Sequence, residues 1–258
     1  MFLKNSIVRI LIFTLIPQTV ETGKPSRLYV WNVGQGQWLT WVRDQSCFHF
    51  DMGGERAPLA KIRQLCALKT NSLYLSHADW DHIKFMPWGS LQLPGLCLMN
   101  WPREKLEPRK EKRLKSIPKC STRAPREVEE LPTHPSPDTP PDLARSQTTT
   151  NDLSRVYLIH SRQGSVLIPG DSTQMAERFW SEKIPSQIKI RTLVLGHHGS
   201  RTSTGEFLLQ RLPFLRLTIA SARKRRYGHP HSETLQLTSE HGAPTLRTEQ
   251  WGNLVLEL

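Results

Sequence analysis

A run of seven residues, SHADWDH at positions 76–82, most constrains what this chain can fold into. It places two imidazoles and two carboxylates within six residues, directly after an apolar stretch at residues 73–75. At the end of a strand, such side chains can hold two divalent metal ions side by side, and histidine with aspartate suits Zn²⁺ or Mn²⁺ better than a soft metal. The alternative is a polar loop in which Asp81 caps the next helix. Four potential ligands at alternate and adjacent positions favour the metal site.

Length and charge restrict the class of protein. The chain has 258 residues, enough for one large domain or two small ones. Its 35 Lys and Arg against 23 Asp and Glu give a formal net charge of +12 at pH 7. Such a surplus favours a polyanionic partner, nucleic acid or an anionic envelope surface, and charge that serves solubility alone explains it equally well.

The first residues resemble a signal peptide. An apolar run at residues 7–16 is stopped by Pro17. Spanning a bilayer takes about 20 apolar residues, whereas the apolar part of a signal peptide covers about 7–15. We therefore predict a signal peptide at 1–23, a domain at 24–258, no stable membrane span, and export to the periplasm or the exterior. The alternative is a buried or disordered N-terminal arm.

The four cysteines are Cys47, Cys66, Cys97 and Cys120. None lies in a C-x-x-C pattern, which disfavours a structural zinc site. In an exported chain they can form two disulfides in any of three pairings. The sequence does not choose among these pairings, or between disulfides and free thiols.

The order of elements predicts two central sheets with helices outside. Short strands separated by Gly-rich turns come first and indicate a meander rather than a βαβ unit. From Arg155 onward, strands and helices alternate, and polar residues repeatedly follow the strand ends. Residues 102–150 differ, since they begin with alternating charge and then become rich in proline. We expect this segment to be a mobile surface insertion rather than core; its basic half lies along a polyanion or forms a solvated helix face.

Three further groups of potential metal ligands occur along the chain, two at the ends of apolar strands and one in a proline-containing turn. Asp171 follows Gly170 at a strand end, where a carboxylate can bridge two metals or can simply belong to a turn. His197 and His198 also follow an apolar strand, and a paired histidine there is seldom structural. The turn HPH at 229–231 contains a proline that restricts the backbone and holds both rings in place.

Seven motifs together resemble the metallo-β-lactamase-fold domain of the ComEC competence proteins. They are VGQG (33–36), FDMGG (50–54), SHADWDH (76–82), PGD (169–171), GHHGSRTS (196–203), RYGHPH (226–231) and RTEQWG (247–252). The resemblance covers roughly residues 28–258, apart from the insertion. No polytopic membrane channel accompanies the domain in this sequence, so the chain resembles a stand-alone relative.

The resemblance implies an α+β fold, a four-layer αββα sandwich with a dinuclear metal centre between its sheets. The implied ligands are His77 and Asp79 for one metal, Asp81 and His82 for the other, Asp171 as a bridge, and His197 or His198 to complete one coordination sphere. The sequence does not say which of the last two turns inward. Asp51 is expected to orient a ligating histidine from behind.

Further roles and two departures come with the resemblance. His229 and His231 are expected to face the substrate as phosphate ligands or as the general acid, and Asp81 to act in catalysis. The expected substrate contacts are Ser200, Arg226 and Tyr227. Gln37 replaces the acid usual after VGQG, and residues 83–85 replace the glycines common after the DH pair. No convincing ligand histidine lies between Ile83 and Asp171, so one metal is expected to bind weakly or to be completed by water.

The leading functional hypothesis is metal-dependent phosphodiester hydrolysis with DNA as the substrate and two Zn²⁺ or Mn²⁺ ions as cofactors. Two adjacent metals lower the pKa of a bridging water and polarise a phosphoryl oxygen. The basic run at 223–226 would hold the backbone, and Trp80 and Trp88 could stack on bases, although core packing is the alternative for tryptophans. Two other hypotheses stay open: a small or envelope phosphodiester as substrate, and a degenerate domain that binds DNA without cleaving it. The oligomeric state is not predicted.

Overall fold

The computed structural model describes residues 26–133 and 149–258. The predicted signal peptide at 1–23 lies outside the described residues. The strands are β1 (Arg27–Val30), β2 (Leu39–Arg43), β3 (Ser46–Phe50), β4 (Thr70–Tyr74), β5 (Cys97–Leu98), β6 (Val128–Leu131), β7 (Val156–Ile159), β8 (Ser165–Ile168), β9 (Ile190–Val194), β10 (Leu217–Ala220), β11 (Thr245–Arg247) and β12 (Leu254–Glu257).

The helices are α1 (Leu59–Cys66), α2 (Trp80–Ile83), α3 (Met86–Gln92), α4 (Pro108–Lys115), α5 (Gln174–Trp180), α6 (Glu206–Gln210), α7 (Lys224–Tyr227), α8 (Ser232–Glu240) and α9 (Thr248–Trp251). Short 3₁₀ turns cover Asn151–Leu153, Ser181–Lys183 and Gly196–Gly199. No helix within 26–133 or 149–258 has the length and apolar character needed to cross a membrane.

The described strands form two six-stranded sheets. The first has the order β12-β1-β2-β3-β4-β5 and the second the order β11-β10-β9-β8-β7-β6. Strands β1 to β3 pair antiparallel, which confirms the predicted meander. Helix α1 then returns the chain so that β4 lies parallel to β3. In the second sheet β8, β9 and β10 are parallel to one another.

Three buried apolar clusters hold the two sheets and the outer helices together as four layers. Between the sheets, Phe50 of the first contacts Tyr157 of the second at a ring-centre distance of 5.5 Å. Helices α1, α3 and α4 cover the outer face of the first sheet through residues such as Ile62. Helices α5 and α6 cover the second sheet, with Trp180 fully buried. This arrangement is the αββα sandwich, and the predicted fold class is confirmed.

The prediction for residues 102–150 is wrong over the part that the structure describes. Helix α4 buries Leu114 against the first sheet, and β6 pairs antiparallel with β7 as an edge strand, burying Leu131. The segment has few apolar residues, but those in α4 and β6 are spaced so that they reach the core. The average hydrophobicity of the whole segment does not show this. Residues 134–148 lie outside the described part.

Two disulfides select one of the three pairings. Cys47 of β3 bonds to Cys66 at the end of α1, and Cys97 of β5 bonds to Cys120. The bonded cysteines lie 19 and 23 residues apart, loops for which the chain-entropy model gives about 3 kcal/mol of stabilisation each. One bridge thus ties β3 to α1, and the other ties β5 to the segment that follows α4.

Candidate metal centre

The predicted ligands meet because each follows the carboxyl end of a parallel strand. Asp51 follows β3, the SHADWDH run follows β4, Asp171 follows β8, and the paired histidines follow β9. The two sheets face each other, so these loops converge on one rim. Gly170 has φ +58°, and a Cβ there would lie 2.6 Å from the Ser76 Cβ. The glycine of PGD therefore allows the loop of one sheet to touch the loop of the other.

Asp171 stands at the centre of the cluster, with one carboxylate oxygen facing each of two groups of side chains. Its Oδ2 lies 3.9 Å from His77 Nε2 and 3.7 Å from His197 Nε2. Its Oδ1 lies 3.1 Å from His82 Nε2 and 3.7 Å from His198 Nε2. We call His77, Asp79 and His197 the first donor set, and Asp81, His82 and His198 the second donor set.

The two aspartates of the SHADWDH run divide between these sets. Asp79 Oδ2 lies 3.5 Å from His77 Nε2, and Asp81 Oδ2 lies 3.2 Å from His198 Nε2. One ligand atom from each residue of the second donor set and one from Asp171 all lie within 4.8 Å of one another. Asp81 is 37% exposed and is the part of that set nearest to solvent.

Four buried polar atoms in the cluster make no well-directed hydrogen bond to any described residue, although two of them, His82 Nε2 and Asp171 Oδ1, lie 3.1 Å apart. The four are His77 Nε2, His82 Nε2, His198 Nε2 and Asp171 Oδ1. Buried nitrogen and oxygen atoms are almost always paired, so a group of orphaned atoms requires an explanation. The three imidazole nitrogens each lie within 3.9 Å of an Asp171 oxygen. Imidazole nitrogens and carboxylate oxygens in this arrangement fit divalent metal ions.

The charges of the cluster are strongly coupled. Burial alone would raise the pKa of Asp171, but His82 and His198 outweigh it and hold the pKa well below its usual range. Burial alone would lower the pKa of His82, but Asp171 and Asp51 raise it well above its usual range. The nearby carboxylates also raise the pKa of His198, so without a metal the protonated forms of His82 and His198 are favoured beside them. Divalent cations replace such protons when they bind, which makes metal affinity pH-dependent.

Asp51 fixes one ligand ring from behind. Its Oδ2 lies 2.7 Å from His82 Nδ1, which leaves His82 Nε2 facing the cluster. The carboxylate also accepts hydrogen bonds from the Ser76 backbone N–H and hydroxyl, both at 2.8 Å. The Gln37 amide donates to Asp51 Oδ2 at 2.8 Å. An acid at position 37 would face Asp51 with like charge, whereas the glutamine found here holds it by a hydrogen bond.

The structure turns both histidines of the pair toward Asp171. His197 and His198 have φ of +46° and +57°, two consecutive left-handed residues that are not glycine. Each such residue costs about 1–2 kcal/mol, and strain of this kind is concentrated at functional sites. His197 completes the first donor set, at the place where the sequence indicated a missing ligand. Each donor set has three side chains, but among the described residues only the second set, together with Asp171, brings its ligand atoms within 4.8 Å of one another.

The HPH turn lies beside the first donor set. The His229 ring centre is 5.6 Å from that of His197 and 5.0 Å from that of His231. Gln35 Nε2 lies 3.0 Å from His229 Nδ1, so the VGQG motif holds this ring. Both predicted substrate-facing histidines are thus at the edge of the cluster.

The predicted substrate contacts are placed differently from expectation. Ser200 is 5% exposed, and its hydroxyl lies 2.9 Å from the Thr202 hydroxyl, so it braces its own turn. Arg226 and Tyr227 both bind Glu55, at 2.8 Å and 3.2 Å. Glu55 also receives Arg223 at 3.1 Å. No sequence pattern indicated a role for Glu55. Its carboxylate binds two arginines of the basic run at 223–226 and so holds that run beside the site.

The two tryptophans proposed for base stacking differ. Trp88 packs edge-on against buried Trp38 at a ring-centre distance of 6.1 Å and belongs to the core. Trp80 is 42% exposed, next to Asp79 and Asp81. Trp80 is therefore the exposed ring of the pair, and the Arg113 guanidinium lies over it at 4.9 Å from the ring centre.

Comparisons with known proteins agree with this fold and with the sequence resemblance. ComE operon protein 3 of Bacillus subtilis (strain 168) is 29% identical over 208 residues, which cover 78% of this chain and 26% of that protein. Competence protein ComA of Neisseria gonorrhoeae is 28% identical over 110 residues, 43% of this chain and 16% of that protein. This chain thus spans about a quarter of the length of the first relative. No protein-family model matches it.

A solved structure decides the fold. The metallo-beta-lactamase fold protein YhfI of Bacillus subtilis superposes with a TM-score of 0.57 at 11% identity, over 90% of this chain and 100% of that one. The chain has the metallo-β-lactamase fold. The predicted resemblance to the competence proteins is confirmed.

Within this metallo-β-lactamase fold, a buried acid that sequence reasoning missed holds the loop of the paired histidines. Glu177 of α5 is 1% exposed and accepts hydrogen bonds from the backbone N–H of Thr204 at 2.5 Å and of Gly205 at 2.9 Å. The Thr204 hydroxyl in turn accepts from the Gly196 N–H at 3.0 Å. Burial raises the pKa of Glu177 to about 7, against the opposing effect of these two hydrogen bonds.

Glu177 is expected to make stability fall as the pH rises. The unfolded carboxyl ionises near pH 4.5, whereas the folded one keeps its proton up to about pH 7. The contribution of Glu177 to stability is complete below the unfolded pKa of 4.5 and is lost as the pH rises through the folded pKa of about 7. In chelator-treated protein, wild type should lose up to about 3 kcal/mol more unfolding free energy than Glu177→Gln between pH 4.5 and 8. Urea titrations of both proteins measure this difference, and parallel pH profiles would contradict it.

Proposed function

We propose that this protein is a metal-dependent hydrolase that cleaves phosphodiester bonds in DNA with a metal-activated water. The observation that carries the proposal is Asp171, whose two oxygens each face one donor set. Bound between these sets, two divalent ions would supply a water of lowered pKa and a Lewis acid for a phosphoryl oxygen. Histidine and aspartate donors fit Zn²⁺ or Mn²⁺.

The side chains of the site have separable tasks in this reaction. Asp171 joins the two donor sets, and Asp51 keeps the His82 ring in one orientation. His229 and His231, at the rim, are placed to bind a phosphoryl oxygen or to give a proton to the leaving oxygen. Burial of the ligands excludes bulk water, which strengthens each of these electrostatic contacts.

Three observations support DNA as the substrate. The net charge of +12 attracts a polyanion. Trp80 offers an exposed ring next to the donor sets, where a base could stack. One of the relatives is named as a competence protein, and competence is the uptake of DNA by cells. We propose an exported protein, because disulfides persist in oxidising compartments and the structure contains two.

A small or envelope phosphodiester is the second candidate. The observation that favours it is Glu55, which pairs with Arg223 and Arg226 beside the site and offsets one of their two positive charges, so that part of the cationic path that DNA would follow is lost. Binding that depends on DNA phosphates weakens steeply with salt, whereas a small substrate with one charge shows a shallow slope.

One experiment separates these proposals. Purified protein is loaded with Zn²⁺ or Mn²⁺, its metal content is measured, and it is assayed at several salt concentrations on single-stranded DNA, double-stranded DNA and bis(p-nitrophenyl) phosphate. We expect about two metals per chain, by analogy with two-metal hydrolases, and DNA cleavage that a chelator abolishes. Loaded protein that cleaves only the small ester would select the second candidate. Loaded protein that cleaves neither would refute phosphodiester hydrolysis.

A further inference from the structure

Helix α4, in the segment expected to lie apart from the core, is docked on the SHADWDH run and on α2. Lys110 Nζ lies 2.9 Å from Asp79 Oδ1. The Arg113 guanidinium lies 4.9 Å from the centre of the Trp80 ring and donates to the Lys84 carbonyl at 2.5 Å. Buried Leu114 anchors the helix in the core on its other side. The helix is therefore a wall of the metal centre.

The two oxygens of Asp79 have different partners. Oδ2 lies 3.5 Å from His77 Nε2 and accepts a long hydrogen bond of 3.4 Å from the Thr150 hydroxyl, while Oδ1 meets Lys110 at 2.9 Å. The Lys110 side chain is 14% exposed, against 35% for Asp79. A half-shielded ion pair is screened less by salt than one in open solvent. Lys110 thus restricts the rotation of the one carboxylate in the first donor set.

We propose that Lys110 is a positioning residue of the metal centre. It holds Oδ1 of Asp79 and so presents Oδ2 as a single-oxygen ligand to the first metal. The inference rests on the proposed metal-dependent function. Hydrogen-bond partners that orient metal ligands typically change affinity about 10–100-fold when they are removed, and an ammonium on the far oxygen of a carboxylate acts in this way.

The same cation alters the net charge of the loaded site. The carboxylates in or behind the cluster are Asp51, Asp79, Asp81 and Asp171. Their four negative charges equal the charge of two divalent ions. Buried Glu104, which accepts a hydrogen bond from the Ala78 N–H, adds a further negative charge, and the Lys110 ammonium offsets it. Removing the charge of Lys110 should raise KM in addition to weakening metal binding.

Three variants test the proposal. Lys110→Met keeps the length of the side chain and removes its charge, Lys110→Arg keeps the charge, and Lys112→Met removes a charge from an exposed position of the same helix. Metal dissociation constants are measured by chelator competition, and the Co²⁺-loaded forms are compared by visible absorption. We expect Lys110→Met to weaken one of two metal sites about 10–100-fold with an altered Co²⁺ spectrum. Lys110→Arg should restore most of the affinity, and Lys112→Met should match wild type.

Three results would overturn the proposal. The first is wild-type affinity and spectrum in Lys110→Met. The second is an equal loss of metal affinity in Lys112→Met, which would indicate an effect of the total positive charge of the helix rather than of the contact with Asp79. The third is equal weakening in Lys110→Met and Lys110→Arg with a matching loss of thermal stability, which would indicate helix docking. None of these readouts needs turnover, so wild type that binds two metals but cleaves no phosphodiester would refute the proposed function and leave the role of Lys110 measurable.

Discussion

Replacing Asp171 by asparagine is expected to remove bound metal from both donor sets and to abolish hydrolysis. Each oxygen of Asp171 faces one donor set, so a single substitution reaches both. The amide would offer an N–H where one metal needs a lone pair, and the central negative charge would be lost. Removing a hydrogen-bond partner of a metal ligand already lowers metal affinity about 10–100-fold. Because Asp171 would be a ligand itself, we expect its replacement to lower metal affinity more than about 100-fold.

Metal analysis and thermal unfolding, each with and without chelator, measure this effect. Wild type should lose stability when the chelator removes its metal, because an ion that binds only the folded state stabilises it. Asp171→Asn should be insensitive to the chelator. The matched control is Asp44→Asn, the same change at an exposed residue with φ +49°, a conformation that asparagine tolerates. Two retained metals in Asp171→Asn would show that this carboxylate is not the bridge.

The positions of the site residues were predictable because they follow from strand ends. Asp51, Asp171 and the SHADWDH run each come directly after a short apolar stretch, and parallel strands bring their carboxyl ends to one edge. That both His197 and His198 would turn toward Asp171 was not predictable. This orientation depends on two consecutive left-handed residues, a conformation that neither side chain specifies and that the surrounding fold imposes.

Contacts between distant parts of the chain were also beyond sequence reasoning. Glu55 and Arg223 are separated by 168 residues, so no local pattern could pair them. The cysteine pairing depends on α1 lying beside β3 and on residues 119–120 pairing with β5. Helix α4 was hidden because charged residues outnumber the single fully buried position, Leu114. Local composition indicates solvent exposure for such a helix, and only the partner surface around Asp79 and Trp80 reverses that conclusion.

Replacing Gly53 by alanine is expected to have the second large effect, by displacing the backbone that carries the ligands. A Cβ at Gly53 would lie 1.9 Å from the Asp81 carbonyl oxygen, 2.1 Å from its carbon and 2.3 Å from the His82 nitrogen. These are backbone atoms that cannot rotate away. The Asp81 carbonyl accepts a hydrogen bond from Gln37 N at 3.0 Å, and the carbonyl of the next residue, His82, accepts one from Met52 N at 2.7 Å. Relief of the overlap must therefore move the second donor set or the FDMGG turn.

We expect Gly53→Ala to lose about 3 kcal/mol or more of unfolding free energy, and its remaining folded protein to bind metal weakly. Gly95→Ala is the control, because a Cβ there meets nothing within 4 Å and only its φ of +67° is unfavourable, at about 1–2 kcal/mol. Urea titration gives the two stabilities, and chelator competition gives the metal affinity at a urea concentration where both variants are folded. Because the overlap involves the peptide between Asp81 and His82, the loss in Gly53→Ala should be greatest in the site that these two residues form. A variant as stable as Gly95→Ala, with unchanged metal binding, would show that the metal loop does not depend on its contact with Gly53.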